Sequence, residues 1–150
     1  MKKQKRELFQ AIHEKNTYNI EKLAKQGVKL DIKSTQEQNN LIQYSLRHDN
    51  PEIAKFLLNH YSSHFDINYQ NNKGQTILHL CAENYNIPEE FTHWFIQTFK
   101  PDLYLKDNGG NNSLYVALSG DMDYFYNFYN NLNSLNFGQL FSLRERIINS

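Results

Sequence analysis

The sequence predicts an all-α solenoid of about four helix-turn-helix units joined by short hairpin or turn loops, with a capping helix at its C-terminal end. The first observation is a register. The segments "RELFQAIHEK", "NNLIQYSLRHDN", "GQTILHLCAENYN" and "NNSLYVALSGDM" align so that Leu8, Ile42, Leu78 and Leu114 share one slot, at separations of 34, 36 and 36 residues. Three positions on stands a small residue in each (Ala11, Ser45, Cys81, Ala117), followed by Ile12, Leu46, Ala82 and Leu118. Apolar residues at i, i+3 and i+4 describe a short helix with one tightly packed face. The second observation is that each segment is followed, after a polar break, by a further helical run: "NIEKLAKQG", "PEIAKFLLNH", "PEEFTHWFIQTF" and "MDYFYNFYNNL". The third is where the 20 Asn residues fall: between the periodic segments, where Asn and Gly supply bends and left-handed backbone.

Taken in order, the units occupy approximately residues 1–34, 35–70, 71–106 and 107–131 of a single domain, 1–150, with the cap at 132–150. The first unit gives the stack a polar outer side through Lys15, Lys22, Lys25 and Lys29. The second opens at Asn39 and Asn40, uses "NPEIAKFLL" as its second helix and leaves by a long exit, "NHYSSHFDINYQ", read as loop. The third carries "GQTILHLCA" and "IPEEFTHWFI". Pro51 and Pro88, each followed by Glu, suit the first turn of a helix, where the missing N–H costs nothing and the carboxylates meet the positive end of the dipole. The fourth opens at "NGGNN" and runs into "DMDYFYNFYNN", whose aromatics cannot all face inward on one helix. Covering by the C-terminal segment is one reading of this tract; the other leaves Tyr124, Tyr126 or Tyr129 exposed as an anchor for a partner. In the cap, Leu140, Leu143 and Ile147 have helical spacing. No unit buries its apolar face alone, so stacking supplies the core.

These residues resemble the ankyrin repeats. "GQTILHLCA" is similar to the family's Thr-Pro-Leu-His-x-Ala signature, with Thr76, Leu78 and His79 in place, Ile77 where Pro is usual and Cys81 where Ala is usual. "KLAKQGVKLDI" ends the first unit in family style, with Gly27 closing its second helix, and "FKPDLYLKDNGGNN" resembles a junction between units. The second and fourth units depart from the signature, reading "NNLIQYS" and "NNSLYVA". The resemblance covers roughly residues 6 to 131. It implies a protein-binding module that uses its hairpin tips and the exposed side of its first helices, which line a concave face. Aligned by the shared slots, the tips are Gln36, Glu37 and Asn39, then Asn72, Lys73 and Gln75, then Asn108 and Asn111. The helix positions are His13 and Glu14, Arg47 and His48, and Glu83 and Asn84. All are polar residues that the core is expected to do without.

Enzymatic readings fare poorly. His79 and Cys81 are two apart, about 200° around a helix, so they do not meet as base and nucleophile. The resemblance assigns His79 to structural hydrogen bonds near the hairpin base, and Cys81 fills the packed slot of Ala11, Ser45 and Ala117. His60 and His64 are four apart but fall in the exit of the second unit, and no Cys or carboxylate cluster completes a metal site. "NGG" lacks the Lys-Ser/Thr of a phosphate loop. Glu89 and Glu90, and Asp121 and Asp123, sit at helix starts, where the dipole accounts for them. No cofactor is expected, and an enzyme on an unrecognised helical scaffold is the competing class.

Charge and length narrow the partners. There are 16 basic and 16 acidic residues, with 12 and 8 in residues 1–75 against 4 and 8 in residues 76–150, so the halves carry +4 and −4. That asymmetry orients a charged partner but is too mild for nucleic acid. No stretch approaches the roughly 20 apolar residues of a membrane span. "MKKQKRELFQ" leads into no signal-peptide core, and a single Cys suits a reducing compartment, so the expected location is the cytoplasm, with signal-peptide-independent export as the other route. The expectation is a monomer binding another protein. The Asn-, Lys-, Ile-, Tyr- and Phe-rich composition fits an AT-rich bacterial genome, in which a small protein of this kind resembles an immunity-type inhibitor or, alternatively, an effector acting on a host protein.

Overall fold

In the computed structural model, which describes residues 2–118, the helices come in the expected order. They are α1 (Lys2–His13), α2 (Thr17–Lys25), α3 (Leu41–Arg47), α4 (Pro51–Tyr61), α5 (Ile77–Glu83), α6 (Glu89–Phe99) and α7 (Ser113–Leu118), with one turn of 3₁₀ helix at Ser62–His64. No strand occurs among the described residues. The aromatic tract with Tyr124, Tyr126 and Tyr129, the second helix of the fourth unit and the cap at 132–150 lie outside them.

The shared slots are the core. Leu8, Ile42, Leu78 and Leu114 are at most 2% exposed, and Ala11, Ser45, Cys81 and Ala117 are wholly buried. Small residues there let the first helices approach closely, and α1, α3, α5 and α7 form a row in which each packs on the next. The second helices add Ile20 and Leu23, then Ile53, Ala54, Leu57 and Leu58, then Phe91, Phe95 and Ile96 to the same core cluster. Lys15, Lys22, Lys25 and Lys29 are all exposed, as a terminal unit requires.

Each helix junction is specified locally. Lys15 and Asp49, 34 residues apart, are both left-handed, with φ of 54° and 59°. Each is followed by the same pair of bonds, Lys15 N–H to Ile12 O and Asn16 N–H to Ala11 O in one unit, Asp49 N–H to Leu46 O and Asn50 N–H to Ser45 O in the next. Gly27 ends α2 with the Val28 N–H donating to Leu23 O, the helix-closing bond expected of it. Two expectations are corrected. Pro51 is indeed in the first turn of α4, but Pro88 is the N-cap of α6, one residue earlier, because the turn before it is longer and closes through the Ile87 N–H on Asn84 O. The exit read as loop begins later than expected: His60 lies on α4 and His64 ends the 3₁₀ turn.

The tips share one design. The N–H of Ser34, Asn71 and Asp107 donates across each tip to the carbonyl of Asn39, Gln75 and Asn111. Asn71 and Asp107 also turn their side-chain oxygens back onto the tip backbone, accepting from Lys73 and Gln75 and from Gly109 and Asn111. Gln38, Gly74 and Gly110, spaced by 36 residues, hold the left-handed position.

Candidate protein-binding face

The departures from the signature in the second unit are chemically equivalent to it. In α5, Thr76 and His79 form a reciprocal cap: the His79 N–H donates to Thr76 Oγ1 at 3.3 Å, and the Thr76 N–H donates to His79 Nδ1 at 3.1 Å. Because Nδ1 accepts, the ring proton is on Nε2, which donates to Asn111 O of the next tip at 2.8 Å. In α3, Asn40 and Gln43 make the same reciprocal cap, and Gln43 Nε2 donates to Gln75 O at 2.9 Å. His79 and Gln43 are thus the same part: each closes its own helix start and fastens the following tip. Both are buried.

Cys81 has no nucleophilic setting. It is wholly buried, and burial pushes its thiol up to about 12, against a smaller opposing effect of its hydrogen bond with Thr92. Among the described residues no group of three or more His, Cys, Asp and Glu side chains is placed to hold a metal ion.

Most of the residues singled out at tips and first helices fall into two sets. Glu37, Arg47, Lys73, Gln75 and Glu83 form one network crossing the second and third units. Arg47 reaches Glu37 at 3.2 Å and Glu83 at 3.1 Å, Lys73 reaches Glu37 at 3.3 Å, and Gln75 donates to Glu83 at 3.1 Å. Burial alone pushes the Glu37 carboxyl up; the hydrogen bond from Asn39 and the Arg47 and Lys73 charges outweigh it and hold the group below its usual value. His48 packs beside this network, its ring edge-on to that of His13 at 4.6 Å and tilted against that of Tyr44 at 4.3 Å. Burial, then the neighbouring His13 and Arg47, lower the His48 pKa, against the smaller pull of Asp49 and Glu37.

The second set is occupied inside the chain. Asn39 is 2% exposed, accepts from Asn71 Nδ2 at 2.7 Å and donates to Glu37, so the expectation that the core does without it is corrected. Asn72 and Asn108 lie on exposed tips, but their amides build a ladder. Asn72 Nδ2 donates to Gln36 O and Asn108 Nδ2 to Asn72 O, each at 2.8 Å, while their backbone N–H groups bond to Glu37 O and Lys73 O. Asn111 supplies the carbonyl that His79 holds. Asn84 Nδ2 bridges Leu46 O and Asp49. Asn39, Asn72, Asn108 and Asn111 tie each tip to its neighbour, and of the network residues Glu37, Arg47 and Glu83 line the clefts beside them.

Two adjoining clefts result. One, about 350 Å³, lies between the tip at Ser34–Asn39 and the exposed side of α3, lined by Glu37, Tyr44, Arg47 and His48 among others. The second, about 320 Å³, is lined by Leu46, Arg47, Leu80, Glu83 and Asn84, with Arg47 as the shared wall. Tyr44 is the residue that sequence reasoning missed. Its hydroxyl bonds to His13 Nε2, and its ring contacts His13, His48 and Phe9. It stands in the slot of Leu80, and an aromatic at that slot was the available signal.

A family model described as ankyrin repeats (3 copies) matches residues 8–88. Among solved structures, the chain is similar to the ankyrin repeat domain of Bcl-3, described as a unique member of the IkappaB protein family. The TM-score is 0.66 at 17% identity, over 80% of this chain and 49% of that one. It is similar to a chain in the complex of the predatory endopeptidase Bd0816 from Bdellovibrio bacteriovorus with the immunity protein Bd3460. There the TM-score is 0.59 at 27% identity, over 75% and 55% of the two chains. A third similarity is to a chain in the complex of the yeast ribosomal protein Rps3 with its chaperone Yar1, with TM-score 0.64 at 12% identity, over 79% and 84%. This chain spans about half the length of the first two. No curated protein matches it.

Proposed function

The chain belongs to the ankyrin-repeat family, and from that premise we propose that it is a non-enzymatic module that binds one partner protein across its tips and first helices, as an immunity-type inhibitor. The observation that carries this reading is the Glu37–Arg47–Lys73–Gln75–Glu83 network. Five polar side chains from two units are held in one arrangement beside two open clefts, so a partner meets a surface ordered in advance, and less is lost in ordering it on contact. Neither residue of the His79–Cys81 pair is available for covalent chemistry: burial pushes the Cys81 thiol up to about 12, and His79 is engaged at both ring nitrogens. The inhibitor role draws support from the likeness to a chain of an endopeptidase–immunity protein complex. Ion pairing across such a face sets register and encounter rate more than raw affinity, which suits discrimination of one partner from others.

The test is affinity capture from a lysate of the producing organism, followed by an activity assay on what is captured. The reading expects one dominant protein held at equal stoichiometry, its activity suppressed by this chain and restored when Lys73→Glu, Gln75→Ala and Glu83→Arg are combined in a still-folded variant. A captured protein that the triple variant holds and inhibits equally well overturns the face; a captured enzyme left fully active overturns the inhibitor role.

A further inference from the structure

Beyond the two clefts, the same face continues onto α1. A third cleft of about 410 Å³ adjoins the first, sharing Ser34, Thr35 and Tyr44 with it. Its floor is aromatic: the rings of Phe9 and Tyr44 meet edge-on at 4.6 Å, and both pack against the core from partly buried positions. Its rim is cationic, made by Lys2, Lys5 and Arg6. We propose that this end of the face is the docking site for an acidic segment of the partner protein that carries an aromatic or large apolar residue, the carboxylates meeting Lys2, Lys5 and Arg6 and the apolar residue covering Phe9 and Tyr44. The assignment rests on reading the tip face as a protein-binding surface.

Charge complementarity chooses this occupant. Elsewhere on the face the cations are already answered, Arg47 by Glu37 and Glu83 and Lys73 by Glu37. Among the described residues, Lys2, Lys5 and Arg6 meet no carboxylate within ion-pair distance. They also stand in the first two turns of a helix with no acidic residue in its first turn, where the macrodipole adds to their positive charge. An incoming carboxylate therefore replaces an uncompensated field with a paired one, and the adjoining aromatic floor gives the segment an apolar contact of the kind that anchors interfaces. A uniform polyanion is a poorer match, because the continuous groove leads from this basic end to Glu37 and then Glu83. A protein segment places its acidic residues at one end only.

The test is fluorescence anisotropy with the full chain and three labelled probes: a short peptide with Asp and Glu at one end followed by a Phe, the same peptide with Lys for each acid, and an oligothymidine of similar length. The acidic peptide is expected to bind with a Kd below about 1 mM and to weaken with salt. It should weaken by about tenfold when its Phe becomes Ala, or when the chain carries Lys5→Glu and Arg6→Glu. If the charge-reversed chain loses its helical circular dichroism, Lys2→Gln with Lys5→Gln is the substitute and should weaken binding in the same direction. No binding of the acidic peptide up to about 1 mM, equal binding of the basic peptide, or tighter binding of the oligonucleotide overturns the assignment. Failure here is separable from failure of the proposed function: a captured partner that is lost with the triple variant but indifferent to Lys5→Glu and Arg6→Glu sinks this site alone.

Discussion

Replacing Gly74 by Ala, with Gly110→Ala as its comparison, isolates what holds one tip on the next. Both glycines sit at the left-handed position of their tips, with φ of +75° and +82°, so each alanine carries the same conformational cost, about 1–2 kcal/mol. Their surroundings differ. A Cβ at Gly110 meets nothing within 4 Å, whereas one at Gly74 falls 2.7 Å from Asn108 Oδ1, 2.8 Å from the Asn108 backbone nitrogen and 3.0 Å from the Asp107 carbonyl carbon. Two of these atoms are backbone, which cannot swing aside. The nitrogen belongs to Asn108, whose N–H donates to Lys73 O and whose amide donates to Asn72 O. Relieving the clash pushes the fourth tip off the third, adding an overpacking cost of about 1–3 kcal/mol. Gly74→Ala should therefore lose about 2–5 kcal/mol, against about 1–2 for Gly110→Ala. Urea unfolding at equilibrium reads the difference, and with a slope of about 1–3 kcal/mol per molar the midpoints should separate by about 1 M. Equal midpoint shifts for the two variants would refute the argument that the tips are stacked through this contact.

Three other outcomes follow from the same geometry. Lys100 closes α6 in the left-handed conformation, with φ of 46°, so Lys100→Gly should stabilise the chain by about 1 kcal/mol in the same unfolding assay. Because Gln43 does in the second unit what His79 does in the third, His79→Gln should cost less than about 1 kcal/mol and His79→Ala about 2–3, since the alanine frees a buried helix start and a tip carbonyl together; thermal unfolding ranks the two. The Cys81 thiol should resist disulfide reagents at pH 8 until urea unfolds the chain. With its folded pKa raised to about 12, the folded state keeps a proton that the unfolded state releases, so the Cys81 contribution to stability should be constant below about pH 9 and fall between that and about 12, and Cys81→Ala should make the alkaline loss of stability shallower over that range.

The stack was legible because its marks are apolar and periodic. Leu8, Ile42, Leu78 and Leu114, with the small residues three places on, are buried by the same repeated geometry, and a buried slot restricts which letters occupy it. The site was legible only as a face. Asn letters at the tips read equally as partner contacts or as rungs of a ladder, and it takes the positions of Gln36 O, Asn72 O and Asn71 Nδ2 to show that Asn72, Asn108 and Asn39 are spent inside the chain. Gln43 hid for a related reason. A polar residue one position after Ile42 does not announce that its amide spans two units, since a side chain of different shape, His79, makes the equivalent bonds. Tyr44 lies on a helix too short to establish a periodicity of its own, so its outward direction emerged only from packing against Phe9, His13 and His48. The longer turn before Pro88 shifted that residue from the first turn to the cap, a one-residue displacement that spacing alone does not resolve.

The most direct measurement is the Kd of the captured partner, by calorimetry, for the wild-type chain and for Arg47→Ala with Glu83→Ala, set beside the unfolding midpoint of each. Arg47 and Glu83 are partly exposed, so removing both should move stability by no more than about 1 kcal/mol. If the tips and first helices are the binding face, the same pair of substitutions should weaken the complex by at least about tenfold. An unchanged Kd in the folded double variant would contradict the account.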